Sequence, residues 1–294
     1  MNEKYDLAVA YRICPKLSKK EMAVCPKDKL GLSEICLKSF KDSLGSLKVK
    51  MWVLLDNCPP EYEDLFLKYF DKKDLELIKL SGIGNQATFG LQIELLANQN
   101  DSEIIYFAED DYLFLPHQFV EMIYFLRSRS DVHFVSPYDH PDYYTMKMWD
   151  HKYEIRAFAT HHWRTAGATT LSFLTTKQVL VKTKNVLGNY YKKNAPDYSI
   201  WMSMTKFNVL DPFNTVNLLV SNRVYFSMFK WTWFHCWKQI LFGKKWRLWV
   251  PVPSIATHME KKFLAPCIMW EKESRAIASA QTKKNSEQIP EFNV

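Results

Sequence analysis

Short apolar runs alternate with amphipathic stretches along the first half of this chain. Asp6 to Ile13, Val49 to Leu55 and Leu75 to Leu80 are β-forming runs, and Ile104 to Phe107 and Val132 to Ser136 repeat the pattern. Between them, Ser33 to Leu44 places Ile35, Leu37, Phe40 and Leu44 at helical spacing. Pro60 to Phe70 opens on a proline that suits a first helical turn. Gly82 to Asn85 reads as a turn, and Thr88 to Asn98 carries Phe89, Ile93 and Leu96 on one helical face. Pro116 to Arg127 predicts another helix. Strands alternating with helices predict an α/β fold, with a mostly parallel central sheet and helices on both faces.

The second half changes character. Thr160 to Thr176 predicts strands of mixed direction, and Lys177 to Tyr190 a helix. A short helix after Pro196-Asp197 carries Tyr198, Ile200, Trp201 and Met204. The segment 217–250 is dense in aromatic and basic residues, and Pro251 to His258 is extended. Beyond about Trp270 the chain turns polar, through Thr282 to Ser286, and predicts a frayed tail. With no internal repeat and no long linker, the expectation is one domain over 1–260 and a partly disordered extension over 261–294.

Composition changes this picture little. Of 294 residues 47% are hydrophobic, enough for a sizeable core. The net charge of +7 gathers near Lys16 to Lys29, between Lys230 and Arg247, and at Lys261-Lys262. Such patches can serve nucleic acid, an anionic membrane or an anionic substrate. No nucleic-acid motif accompanies them, so nucleic acid is not an expected partner. The six cysteines form no CxxC pair or zinc spacing. No secretory leader or spanning apolar run is visible, so a cytoplasmic location with free thiols is expected.

The sharpest chemistry lies at the end of the fourth run, Ile104-Ile105-Tyr106-Phe107-Ala108-Glu109-Asp110-Asp111-Tyr112. Open α/β sheets bind ligands at the carboxyl ends of their strands. Three acids there repel one another and call for a cation. Carboxylate oxygens suit Mg²⁺ or Mn²⁺, which in turn suit phosphates. The alternative is a solvated acidic turn. Asp197 precedes a helix and could act as a general base or simply cap that helix. Asp56 could accept a hydrogen bond from a ligand or start a turn beside Asn57. Gly84-Asn85 before a helix offers backbone N–H groups to an anion. Phe226 to Trp249 holds Phe226, Phe229, Trp233 and Trp237 near helical spacing among Lys230, Lys238, Lys244, Lys245 and Arg247. It is either an interfacial helix on an anionic leaflet or a core helix with a basic face.

Taken in order, these elements resemble the GT-A glycosyltransferases, above all the family 2-like bacterial enzymes of surface-polysaccharide synthesis, over roughly residues 5–260. Phe107-Ala108-Glu109-Asp110-Asp111-Tyr112 resembles their DxD element, with Glu109 where Asp is usual. The resemblance implies a donor half over about 1–115, an acceptor half over about 116–260, and an aromatic/basic helical appendage. It implies Mn²⁺ or Mg²⁺, held by Asp111 with Glu109 and the late His258, and a nucleotide-diphosphate sugar as donor. Tyr11 would stack on the base, Arg12 would reach a phosphate, and Asp56, Asn85, Gln92, Glu109 and Asp110 would line the donor site. Asp197 would be the base of an inverting transfer, although Pro196 stands where that family has an acid. His162, Trp163 and Asp139, with His140 nearby, would meet a glycan or lipid-linked acceptor. The rivals are a sugar-nucleotide pyrophosphorylase, for which Ile13-Cys14-Pro15-Lys16-Leu17 lacks the glycines, and a non-catalytic carbohydrate- or membrane-binding module.

Overall fold

The computed structural model describes residues 4–17, 20–25, 27–149 and 152–277. The polar run from Thr282 to Ser286 lies outside the described residues. In chain order the elements are β1 (Leu7–Ile13), α1 (Lys29–Leu44), β2 (Val49–Asp56), α2 (Glu61–Tyr69), β3 (Leu75–Leu80), α3 (Gly84–Asn98), β4 (Ile104–Glu109), β5 (Tyr112–Phe114) and α4 (Phe119–Ser128). Then follow β6 (Phe134–Val135), α5 (Asp142–Thr145), β7 (Ile155–Phe158), β8 (His161–Ala166), β9 (Phe173–Thr176), α6 (Lys177–Leu187) and α7 (Asn189–Lys193). The last are α8 (Asp197–Thr205), α9 (Pro212–Ser221), α10 (Arg223–Phe242), β10 (Leu248–Val252) and β11 (Ala256–His258).

Nine strands form one sheet in the order β3-β2-β1-β4-β9-β6-β10-β8-β7. The four strands β3, β2, β1 and β4 are mutually parallel, as the βα alternation predicts. From β9 on, most pairings are antiparallel, with β6 and β10 the parallel exception. β10 therefore belongs to the main sheet, between β6 and β8. A separate ribbon pairs β11 with β5.

The sheet has a core on each face, and strand alternation decides which side each residue joins. Leu7, Val9, Tyr11 and Ile13 of β1 pack with Leu32, Phe40 and Leu44 of α1 and Phe66 of α2. Ala8 and Ala10 face the other way, toward Phe89, Ile93 and Leu96 of α3. In β4, Tyr106 and Ala108 share the α1 side, and Ile105 and Phe107 the α3 side. Asp28 caps α1 by accepting the Gly31 N–H at 2.9 Å, which starts the helix a turn before the apolar spacing suggests. At the other end of the chain, Ala265 and Trp270 pack into the core that β1 and α1 share.

Two aromatic candidates fall to this alternation. Tyr11 lies inside the α1-side core with its ring edge-on to Phe40 and Phe66, so it cannot stack on a base. Trp163 of β8 is buried and stacked on Phe125 at 4.3 Å, so it is no sugar platform. Replacing such a core aromatic leaves a cavity. We expect Trp163→Ala to lower the unfolding free energy by about 3–5 kcal/mol in urea titration. Trp163→Phe should cost less and leave the use of any acceptor unchanged, whereas a platform role would appear as a rise in acceptor KM at unchanged stability.

Candidate functional site

The acid run sits where β4 ends, and the alternation carried past that end sends its acids to different partners. Arg12 and Glu109 are opposed in the β1–β4 register, on the α3 side. They form a buried ion pair, and the other Glu109 oxygen accepts from Ser172 Oγ at 2.8 Å. Asp110 meets Lys29, the first residue of α1, at 2.7 Å, and accepts the Cys14 N–H at 3.2 Å. Asp111 meets His258 of β11, with Oδ2 3.2 Å from Nε2. The β5–β11 ribbon brings this histidine in, setting His258 opposite Tyr112 and joining the Met259 N–H to the Asp111 carbonyl at 2.9 Å. Each acid thus has its own cation.

The electrostatics follow from burial and these partners. Burial opposes the Lys29 charge, but Asp110 and then Asp111 outweigh it and hold the ammonium well above its ordinary range. Burial also opposes both charges of the Asp111–His258 pair. Asp111 nevertheless pulls His258 up to about 9, and His258 holds the Asp111 carboxyl far below the usual range. The Glu260 N–H lies 3.1 Å from His258 Nδ1 and fixes the ring with a protonated Nε2 toward Asp111. Asp111 Oδ1 is buried without a hydrogen-bond partner.

These groups border a cavity of about 440 Å³ lined by Arg12, Lys29, Asp56, Asn85 and the three acids. Arg12 also donates to the Asn85 carbonyl at 2.8 Å and to the Asn85 side chain, so it is a brace across the site and not a free phosphate hook. Asp56 lines the cavity, but its two oxygens accept the Ile83 and Gly84 N–H groups at 2.7 and 2.8 Å. The anion expected at the start of α3 is the chain's own carboxylate. Gln92 does not reach the cavity. It is fully buried and donates to the carbonyls of Ala10 and Ala108, at 2.6 and 3.0 Å, joining β1 to β4.

A second cavity, about 260 Å³, is lined by Asp197, His140, Tyr143, Thr170, Tyr198 and Met228. Asp197 is the first residue of α8, and Tyr198 donates its N–H to Oδ1 at 2.7 Å. Burial raises the Asp197 carboxyl, Glu109 adds to the rise, and Arg12 opposes it. The acid run and Asp197 are therefore within electrostatic reach. Asp139 is not a free contact: it is buried in an ion pair with Arg164, accepts from Tyr144, and receives support from Ser254 Oγ on its N–H at 2.9 Å. His162 is exposed on β8 and lines neither this cavity nor the first.

Sequence reasoning missed Lys29. The signal was present in Asp28, whose capping position makes Lys29 the first helical residue. It also missed Ser172, and Tyr190, which receives a hydrogen bond from the Asn85 amide at 3.0 Å.

No family model matches the chain, and no curated protein matches it. Solved structures do. The galactosyltransferase LgtC, in complex with donor and acceptor sugar analogs, is 11% identical with a TM-score of 0.45, over 97% of this chain and 98% of that one. The mannosyltransferase PcManGT from Pyrobaculum calidifontis, in complex with GDP-Man and Mn²⁺, is 14% identical with a TM-score of 0.44, over 71% of this chain and 53% of that one. A cytidylyltransferase from Leptospira borgpetersenii is 14% identical with a TM-score of 0.37, over 70% of this chain and 74% of that one. Identity and score are too low to carry chemistry across, so the reaction has to come from this chain's residues.

Asp56 gives a direct check on the site's architecture. Asp56→Ala leaves two backbone N–H groups unanswered at the start of α3, and should cost about 1–3 kcal/mol in urea titration. Asp56→Asn keeps one acceptor oxygen and should cost less. If both variants are as stable as the wild type, the carboxylate does not hold this turn.

Proposed function

We propose that this protein is a glycosyltransferase that moves a sugar from a nucleotide-diphosphate donor to a glycan or lipid-linked acceptor, with inversion at the anomeric carbon. The observation that carries the proposal is the unpartnered buried oxygen of Asp111 beside His258, at the cavity shared by Arg12, Lys29 and the other two acids. Thr170, which lines the Asp197 cavity, accepts the hydroxyl of Tyr112, the residue after the acid run, at 2.8 Å.

These residues fit a divalent cation, though only in part. Among the described residues no cluster of three or more potential ligands stands ready to hold a metal unaided. Asp111 Oδ1 would supply the protein's share, with Glu109 nearby and the donor's phosphates the rest, and His258 Nε2 would join only on giving up the proton it directs at Asp111. When bound, Mn²⁺ or Mg²⁺ would neutralise the charge that develops on the nucleoside-diphosphate leaving group.

The chain's own residues account for the other demands. Asp110, held by Lys29, and Glu109, held by Arg12, present oriented carboxylates toward the ribose and the donor sugar. The acceptor hydroxyl attacks the anomeric carbon, the bond from that carbon to the diphosphate oxygen breaks, and Asp197 takes the hydroxyl proton. Desolvation makes Asp197 a stronger base than an exposed aspartate. The rival pyrophosphorylase reading is separable by product, because it releases or consumes pyrophosphate, whereas sugar transfer releases nucleoside diphosphate.

Two variants test the roles. Asp111→Ala should fold and lose metal-dependent nucleotide-diphosphate binding, read by calorimetry with and without Mn²⁺. Undiminished affinity in the presence of Mn²⁺ would remove Asp111 from the metal site.

Asp197→Asn should bind donor normally and lose transfer by about 10²-fold or more. The base works ionised, and burial raises its pKa, so wild-type kcat should fall as pH drops through a value above that of an ordinary aspartate. That acid limb should vanish in Asp197→Asn. A product that keeps the donor's anomeric configuration would rule out the single displacement.

A further inference from the structure

α10 divides its residues into two faces. Tyr225, Thr232, His235, Cys236 and Ile240 are buried, and the helix packs against α8. Val224, Trp231, Phe234 and Leu241 recur at helical spacing on the outside, where Phe234 is 69% and Phe242 80% exposed. α9 adds Phe213, Val216 and Val220, again on one helical face, with Phe213 85% and Val220 86% exposed. Monomer surfaces rarely gather this many large apolar side chains without a partner to cover them. Trp233 is not part of this outer stripe: it is half-buried, beside Phe229, against the α3-side core.

Charge selects the partner. Between Asp211 and Glu260 the sequence has six Lys and Arg and no Asp or Glu, and of these Arg247 is taken up in ion pairs with Asp131 and Glu154. Lys230 and Lys238 are exposed on α10 among the apolar residues. An apolar face whose charges on α10 include Lys230 and Lys238 matches a surface both apolar and acidic. An anionic bilayer offers that combination, with acyl chains below and phosphates above. No helix among the described residues is long and apolar enough to cross a membrane, so the fitting geometry is a helix pair lying in the interface.

We propose that the outer faces of α9 and α10 dock this protein on an anionic membrane surface, with Phe213, Val220, Trp231, Phe234 and Phe242 in the headgroup–acyl boundary and Lys230 and Lys238 on the phosphates. Met228, on the same helix, lines the cavity that holds Asp197, so the docked helix forms one wall of that cavity. A lipid-linked acceptor would reach Asp197 from the surface that holds the enzyme. The docking rests on exposure and charge alone, so it can hold even where the sugar-transfer reading fails.

The test uses the full chain and sedimentation with vesicles of phosphatidylcholine, alone or mixed with phosphatidylglycerol. The wild type should bind the mixed vesicles, less at high salt, and bind the neutral ones weakly. Phe234→Ser/Phe242→Ser should lose at least tenfold in partition at unchanged melting temperature, because both positions are exposed. Lys230→Gln and Lys238→Gln should each lower it about fivefold. Brominated lipids should quench wild-type tryptophan fluorescence, a readout that needs no variant. Absence of vesicle binding, or binding insensitive to these residues, overturns the proposal. So does a wild-type dimer in analytical ultracentrifugation that the phenylalanine changes dissociate, since a second copy then covers the face.

Discussion

Three adjacent carboxylates at the end of one strand can coexist only if their repulsion is answered, and the site is organised around that demand. The answer comes from three elements remote in sequence from the acid run: Arg12 of β1, Lys29 of α1 and His258 of β11. Each pair is mostly withdrawn from water, where losing one partner costs about 3–5 kcal/mol because a buried charge is left alone. The pairs therefore tie the first strand, the first helix and the last strand to one point. They also fix the direction of each carboxylate before any ligand arrives, so little reorganisation is left for binding.

The period of two along a strand explains which candidates reach that point. Arg12 and Glu109 are register partners on the α3 side, while their neighbours Tyr11 and Ala108 face the α1-side core. No rotamer brings Tyr11 through the sheet. On β8 the same alternation buries Trp163 and leaves its neighbour His162 exposed. Polar residues that looked like ligand contacts satisfy the fold instead. Gln92 bonds two strand carbonyls, Asp56 the start of α3, and Asp139 the guanidinium of Arg164. A buried polar group without a partner costs about 1–3 kcal/mol, so most such groups are used up internally. Asp111 Oδ1 is one of several buried polar atoms left without a partner, and it is informative because it is a carboxylate oxygen on a residue that lines the cavity.

The parallel half of the fold was legible in the sequence because its signals are local. Apolar runs, helical spacing and turn residues place β1 to β4 and α1 to α4 within a few residues of their positions. The acid run, its place at a strand end and Asp197 at a helix start are local in the same sense. What was not legible depends on distant pairing. Nothing near Leu248–Val252 says that it enters the sheet between β6 and β8, so the aromatic segment read as an appendage. The β5–β11 ribbon, which delivers His258 to Asp111, pairs Tyr112 with His258 across about half the chain. Lys29 was hidden for a smaller reason: the helical spacing was read from Ser33, with Ile35 its first apolar position, and only the Asp28 cap shows that the helix starts earlier.

α10 shows how one element can meet two demands that periodicity alone cannot separate. Aromatic residues at helical spacing predict either a core helix or an interfacial one, and here each reading describes one face. Inside, Thr232 reaches Ser199 of α8, and Lys206, just past the end of α8, donates to the Ile240 carbonyl at 2.6 Å, holding α10 against the helix that carries Asp197. Outside, apolar and basic residues remain uncovered. Met228 on the inner side of α10 lines the Asp197 cavity, so one helix carries both the exposed apolar face and part of the wall of that cavity.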